Sequence, residues 1–112
     1  MTPNLSYQPV LRLTIKAAED IPAYRLVDFT GHLSTTNGNI LGVSDYPALA
    51  GELISLIVLG TAIVSTSSTL NVGDGIIPDG TGQATMASLS DTPDGTVINS
   101  SVNYSEILLY HK

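Results

Sequence analysis

At 112 residues, 43% of them hydrophobic and none of them cysteine, the chain can build one domain around one real core, without disulfides, thiolate metal sites or cysteine nucleophiles. Only 12% of residues are charged, the net charge is −6, and the four fixed cations are Arg12, Lys16, Arg25 and Lys112, which leaves no basic stripe for a nucleic-acid backbone. The polar surface must come from Ser, Thr, Asn and Gly, which lose little when they are desolvated against another protein.

Along the chain the hydrophobic pattern has period two, with frequent turn signals. Residues 1–9 stand apart: they are polar, Leu5 and Tyr7 are their large apolar groups, and Pro3 and Pro9 favour an extended backbone. This stretch reads as an extended N-terminal arm, with the folded domain covering residues 10–112. Residues 10–17 read as a strand with one buried side, on which Leu11, Leu13, Ile15 and Ala17 alternate with Arg12, Thr14 and Lys16. A turn at 19–22 containing Pro22 leads to a strand at 24–29, which Gly31 ends.

Residues 32–38 are small and polar, a loop. A short strand at 39–43 then enters the turn Ser44-Asp45-Tyr46-Pro47. Residues 53–64 form the centre of the molecule, because both faces are apolar: Leu53, Ile57 and Leu59 on one, Ile54, Leu56, Val58, Ala62 and Val64 on the other. Gly60 within this run predicts a bulge or corner. Residues 70–86 read as a hairpin with Val72, Ile76 and Ile77 as its apolar positions and Asp79-Gly80-Thr81-Gly82 as its turn. A loop at 88–95, a short strand at 96–99 and a closing strand at 105–111 follow. In the last of these, Ile107 and Leu109 lie opposite Glu106, Leu108 and Tyr110. Six to eight short strands at this spacing predict a closed or nearly closed all-β domain with little helix.

Catalytic chemistry finds no constellation. A base, a nucleophile or metal and an orienting group are required together. The histidines are His32, in a loop, and His111, next to the chain's last residue. With Asp28 or Asp45 they offer at most a weak ligand set, without metal-site spacing. No serine sits in a Gly-x-Ser-x-Gly elbow. Asp74, Asp79, Asp91 and Asp94 lie near glycines but lack calcium-loop spacing, and Asp-Gly is first of all turn chemistry. Gly73-Asp74-Gly75 lacks the helix and lysine of a phosphate loop. The expectation is a binding protein, not an enzyme, with no cofactor and no metal.

The longest apolar run, 53–64, is broken by Ser55, Gly60 and Thr61 and falls short of the roughly 20 residues of a spanning helix. No apolar stretch of the signal-peptide kind precedes it. These features predict a soluble protein made in the cytoplasm, without a membrane partner.

Four stretches together resemble the capsid cement, or head-decoration, proteins of tailed bacteriophages. Ile21-Pro22-Ala23-Tyr24-Arg25-Leu26-Val27 is similar to that family's turn into a strand. Leu41-Gly42-Val43 followed by Ala50-Gly51-Glu52 resembles its Gly-Val strand and the turn before its central strand. Leu70-Asn71-Val72-Gly73-Asp74 with Pro78-Asp79-Gly80-Thr81-Gly82-Gln83-Ala84 is similar to its Gly-Asp hairpin, and residues 106–110 to its closing strand. The likeness runs from about Ala18 to Tyr110 and rests on order and spacing. Two departures stand out: Tyr24 replaces a usual glycine, and Thr96-Val97-Ile98-Asn99 replaces a Gly-Ile-Ala run.

The resemblance implies a small β-barrel or β-tulip-like domain. It implies a structural virion protein on the capsid exterior, binding the major capsid protein, assembling as a homotrimer, bridging coat subunits and stabilising the expanded shell. The capsid-binding arm would then be Thr2, Pro3, Asn4, Leu5, Ser6, Tyr7, Gln8 and Pro9, adding a strand to a coat-protein edge. The alternative is a small β-sandwich adhesion or carbohydrate-binding module, for which Tyr24, Tyr46 and Tyr104 are the candidate aromatic residues.

Overall fold

The structure is a computed structural model that describes residues 7–35, 39–88 and 91–109. Eight strands form one sheet: β1 (Pro9–Lys16), β2 (Leu26–Val27), β3 (Gly42–Ser44), β4 (Leu53–Ser65), β5 (Gly75–Pro78), β6 (Ala84–Met86), β7 (Gly95–Ser101) and β8 (Tyr104–Leu109). Among the described residues there is no helix. Every strand pairing is antiparallel, and the order is β2-β3-β4-β8-β7-β5-β6 with β1 attached to β4 outside that path.

The two ends of the path curl back toward each other. Leu26 N donates to Gly82 O at 2.7 Å, Ser65 N to Tyr24 O at 2.8 Å and Ser67 N to Ala84 O at 3.1 Å. These bonds bring the β5–β6 hairpin against β2 and the end of β4, so the all-β domain is a nearly closed barrel, as the turn spacing predicts.

The long strand β4 organises the rest. Ile57 pairs with Arg12 of β1 and with Val43 of β3, and Gly60 pairs with Pro9 of β1 and with Leu109 of β8. A strand has two edges; β1 therefore runs along one edge of β4, while β3 and then β8 share the other. Two buried clusters result. One contains Leu26, Ile40, Val43, Ile57, Ala62, Val64, Leu70, Ile76, Ala84, Val97, Ile107 and Leu109. The other contains Ala17, Ile21, Val27, Ala48, Ile54, Leu56 and Val58, with Ile15, Leu33 and Leu41 packed against it.

This division corrects one expectation. Ala62 and Val64 do not share a core with Ile54, Leu56 and Val58 but with Ile57. The cause is Gly60, whose φ of 101° lies where side chains rarely go. The β1–β4 register slips at both Pro9/Leu11 and Leu11/Arg12. A bulge shifts the alternation by one residue, so the inward face of β4 changes from odd to even numbers across Gly60.

Other strands are shorter than alternation predicts. The strand expected at 24–29 shrinks to β2, because Tyr24 has a φ of 65° and Asp28 begins a turn by accepting hydrogen bonds from Thr30 N at 2.9 Å and His32 N at 3.0 Å. The strand expected at 39–43 moves to Gly42–Ser44. Val72 is exposed in the turn before β5 rather than serving as a hairpin core position, whereas Ile76 and Ile77 are buried. Glu106 is buried on β8 opposite Ile63. The Asp79 turn forms as its sequence predicts: Asp79 Oδ1 accepts from Thr81 N at 2.9 Å and Thr81 Oγ1 at 2.8 Å.

Candidate docking surface along the first strand

The most unusual surface is β1 itself. The strand pairs only with β4 among the described strands, and its other edge carries none. Its predicted buried side is open over its first half: Leu11 is 44% exposed and Leu13 43%, whereas Ile15 packs partly inward and Ala17, just past the strand, is buried; Val10, on the other face, is 76% exposed. The correction has a simple cause. Alternation shows which residues share a face, but β1 lies outside the barrel path, so among the described residues no second layer covers the face at Leu11 and Leu13. Leu11 stands opposite Leu59, itself 42% exposed, which extends the apolar surface onto β4. A long, apolar, unpaired edge is a ready template for another strand.

The strand is nonetheless firmly held. Arg12 Nη2 donates to Asp45 Oδ2 at 2.7 Å, and the same oxygen accepts from Tyr7 Oη at 3.3 Å. The Arg12–Asp45 hydrogen bond, opposed by partial burial and reinforced by the carboxylate's charge, raises the guanidinium above its ordinary pKa. Asp45 follows β3, so the bridge spans the breadth of β4 and ties the outer strand to the barrel. At the start of β1, Gln8 N donates to Thr61 Oγ1 at 2.7 Å and Thr61 N donates to Gln8 O at 3.1 Å. A Cβ on Gly60 would collide with that same Gln8 carbonyl, so only glycine lets the incoming chain lie this close.

Of the eight arm residues singled out by sequence, Thr2, Pro3, Asn4, Leu5 and Ser6 lie outside the described residues. Tyr7 and Gln8 are anchored as above, and Pro9 begins β1. Proline suits that position, where an edge strand starts and one backbone donor can be spared.

The fold is shared with a phage head-fiber base. The solved structure of the N base of head fiber gp8.5 from bacteriophage phi29 superposes with a TM-score of 0.75 at 18% identity, covering 89% of this chain and 93% of that one. No protein-family model matches the sequence, and no curated relative does. The likeness to the gp8.5 base therefore lies in the course of the backbone rather than in shared side chains.

The remaining sequence candidates are partly brought together. Tyr24 and Tyr104 meet edge to face with ring centroids 5.5 Å apart, and both are half-buried. Tyr46 stands elsewhere, its hydroxyl accepting from Ser55 N at 3.0 Å. His32 does lie beside Asp28, through its backbone amide, whereas Asp45 serves Arg12. His111 and Tyr110 lie outside the described residues. Among the described residues, no group of three or more His, Cys, Asp or Glu is placed to hold a metal ion, and no helix is long and apolar enough to cross a membrane. Sequence reasoning missed Phe29, which it counted inside a strand. The signal was present, since Asp28-Phe29-Thr30-Gly31 has the Asp-first, Gly-last composition of a type I turn.

Proposed function

We propose that this chain is a non-enzymatic structural protein of a phage virion, carried on the exterior of the expanded capsid, where it binds the major capsid protein, bridges coat subunits and stabilises the shell. The backbone course shared with the phi29 head-fiber base is the observation that carries this reading. The cement-protein resemblance of residues 18–110 supports it independently. In this reading the arm, Thr2 to Pro9, and the bare edge of β1 form one continuous extended segment that pairs with a β-edge of the coat subunit. Backbone hydrogen bonds supply the affinity, and Val10, Leu11 and Leu13 supply apolar side chains for pockets on the partner.

The mechanism is thermodynamic linkage. A protein that binds the expanded lattice and not its precursor stabilises the expanded lattice. The subunits work as homotrimers, so three modest contacts act together and the avidity exceeds any one of them. No cofactor, nucleic acid or membrane takes part.

Co-sedimentation with expanded and unexpanded shells of the parent phage tests the reading. The intact chain is expected to pellet with expanded shells only. Deleting residues 1–8 or introducing Leu13→Glu on the exposed edge should abolish pelleting, while light scattering still reports a trimer. Equal pelleting with both shell forms, or full binding by both variants, would overturn it.

A further inference from the structure

A second surface lies away from the bare edge of β1. Residues 28–32 form a tight turn after β2, closed by Asp28 N donating to His32 O at 2.9 Å and by an isolated antiparallel bridge between Val27 and Leu33. Asp28 Oδ1 accepts three hydrogen bonds, from Thr30 N at 2.9 Å, Thr30 Oγ1 at 2.7 Å and His32 N at 3.0 Å. Thr30 Oγ1 also lies 2.9 Å from His32 Nδ1. The turn is fixed from beneath, where Ala18 N donates to Gly31 O at 3.0 Å and Leu33 N donates to the Glu19 carboxylate at 3.0 Å. Gly31 has a φ of 88°, and a Cβ there would strike the Lys16 carbonyl, so the turn has little freedom to rearrange.

This rigid turn holds Phe29 outward, 62% exposed, although it is the chain's one phenylalanine and the neighbouring Val27 is fully buried. Beside the ring is a cleft of about 240 Å³ lined by Asp28, Phe29, Thr30 and Asn39. Among the described residues the lining is one aromatic face, one carboxylate, one hydroxyl and one amide. That volume is below the roughly 300–1,000 Å³ taken by drug-sized ligands, which suits a single saturated ring. All three of these hydrogen bonds fall on Oδ1, which leaves the other Asp28 oxygen to accept from a ligand.

Partial burial pushes the Asp28 carboxyl upward. The hydrogen bonds from Thr30 and His32 outweigh it and hold the group below its ordinary 3.8, ionised at neutral pH. Among the described residues no cation lines the cleft, and the whole chain carries a net charge of −6, so an anionic ligand is disfavoured. A single aromatic wall cannot sandwich a nucleobase. It can carry the C–H face of a pyranose while the ring hydroxyls reach the polar groups around it.

We propose that the cleft of Asp28, Phe29, Thr30 and Asn39 is a shallow receptor for a neutral pyranose, stacked on Phe29 and hydrogen-bonded through its hydroxyls to Asp28 and Asn39. This site is separate from the capsid-docking edge and does not depend on that reading. It would give a head-surface protein a weak, multiply repeated grip on a neutral glycan.

Titration of the full chain with methyl glucopyranoside and N-acetylglucosamine, followed by amide chemical shifts, tests the proposal, with glucuronate as the anionic comparison. The expected result is saturable shifts centred on residues 28–32 and 39 for at least one neutral sugar, with a Kd on the order of 1 mM, and none for glucuronate. Phe29→Ala should weaken binding by about tenfold or more, and Phe29→Trp should restore it. Because Phe29 is exposed, both variants should melt like the parent. Absence of saturable shifts up to about 100 mM, equal shifts in Phe29→Ala, or glucuronate binding as well as the neutral sugars would overturn it.

Discussion

Gly60→Ala is the sharpest test of how β1 is seated. Two effects add. At a φ of 101° a side chain is strained by about 1–3 kcal/mol. The new Cβ would also overlap Gln8 O and lie 2.9 Å from Val10 N, both backbone atoms that cannot rotate away. Moving them breaks the bonds from Thr61 N to Gln8 O and from Gln8 N to Thr61 Oγ1, each worth about 0.5–1.5 kcal/mol. Gly51→Ala is the matched control: its φ is 90°, but nothing lies within 4 Å of the position where Cβ would be built. Gly51→Ala should therefore show the strain alone, and Gly60→Ala should be worse by about 2 kcal/mol, or about 8 °C in Tm for a chain of this size. Urea unfolding gives the difference, and hydrogen exchange of the Thr61 amide shows where it arises. If both variants melt together while the Thr61 amide stays protected, the account of Gly60 is wrong.

Ser44→Ala should destabilise by about 2–4 kcal/mol in urea, because the fully buried hydroxyl accepts from Arg25 N at 3.1 Å and donates to Pro22 O at 2.8 Å, and both partners would be orphaned. Acid stability depends on Asp28 and Asp79. In each, burial is the largest influence and acts upward, but hydrogen bonds, from Thr30 and His32 to Asp28 and chiefly from Thr81 to Asp79, hold the folded pKa below the ordinary 3.8. Their stabilisation is complete above about pH 4 and disappears as pH falls through the lower folded values. The urea midpoint should therefore fall more steeply below pH 4 in the wild type than in Asp28→Asn/Asp79→Asn; equal slopes would contradict the assignment.

Much of the barrel was legible because its strands carry their own signals. The apolar run of β4, the Asp79-Gly80 turn and the alternation of Ile107 with Leu108 each fix a local geometry. What could not be read was which faces acquire a second layer. Leu11 and Leu13 alternate as well as any core strand does, yet none of the described strands crosses over them. The parity change at Gly60 was signalled only as a bulge, since one glycine does not reveal which residue becomes the extra one. Tyr24 is instructive in another way. A glycine suits that position because the backbone there is left-handed, and tyrosine remains with its ring packed against Tyr104. For the candidate surface, the sequence marked the segment around Tyr7 to Pro9 but not the open edge that continues it. Phe29 was hidden by counting it as strand.

The antiparallel seam between β1 and β4 also has a mechanical meaning. It runs from Pro9↔Gly60 to Lys16↔Leu53, so its rungs lie side by side across the direction in which the chain enters. Tension applied at Pro9 along that direction loads the rungs in shear, all at once, instead of peeling them in turn. The entry point of the chain is thereby the stiff handle of the molecule, and its barrel can be tugged from that end without first coming undone.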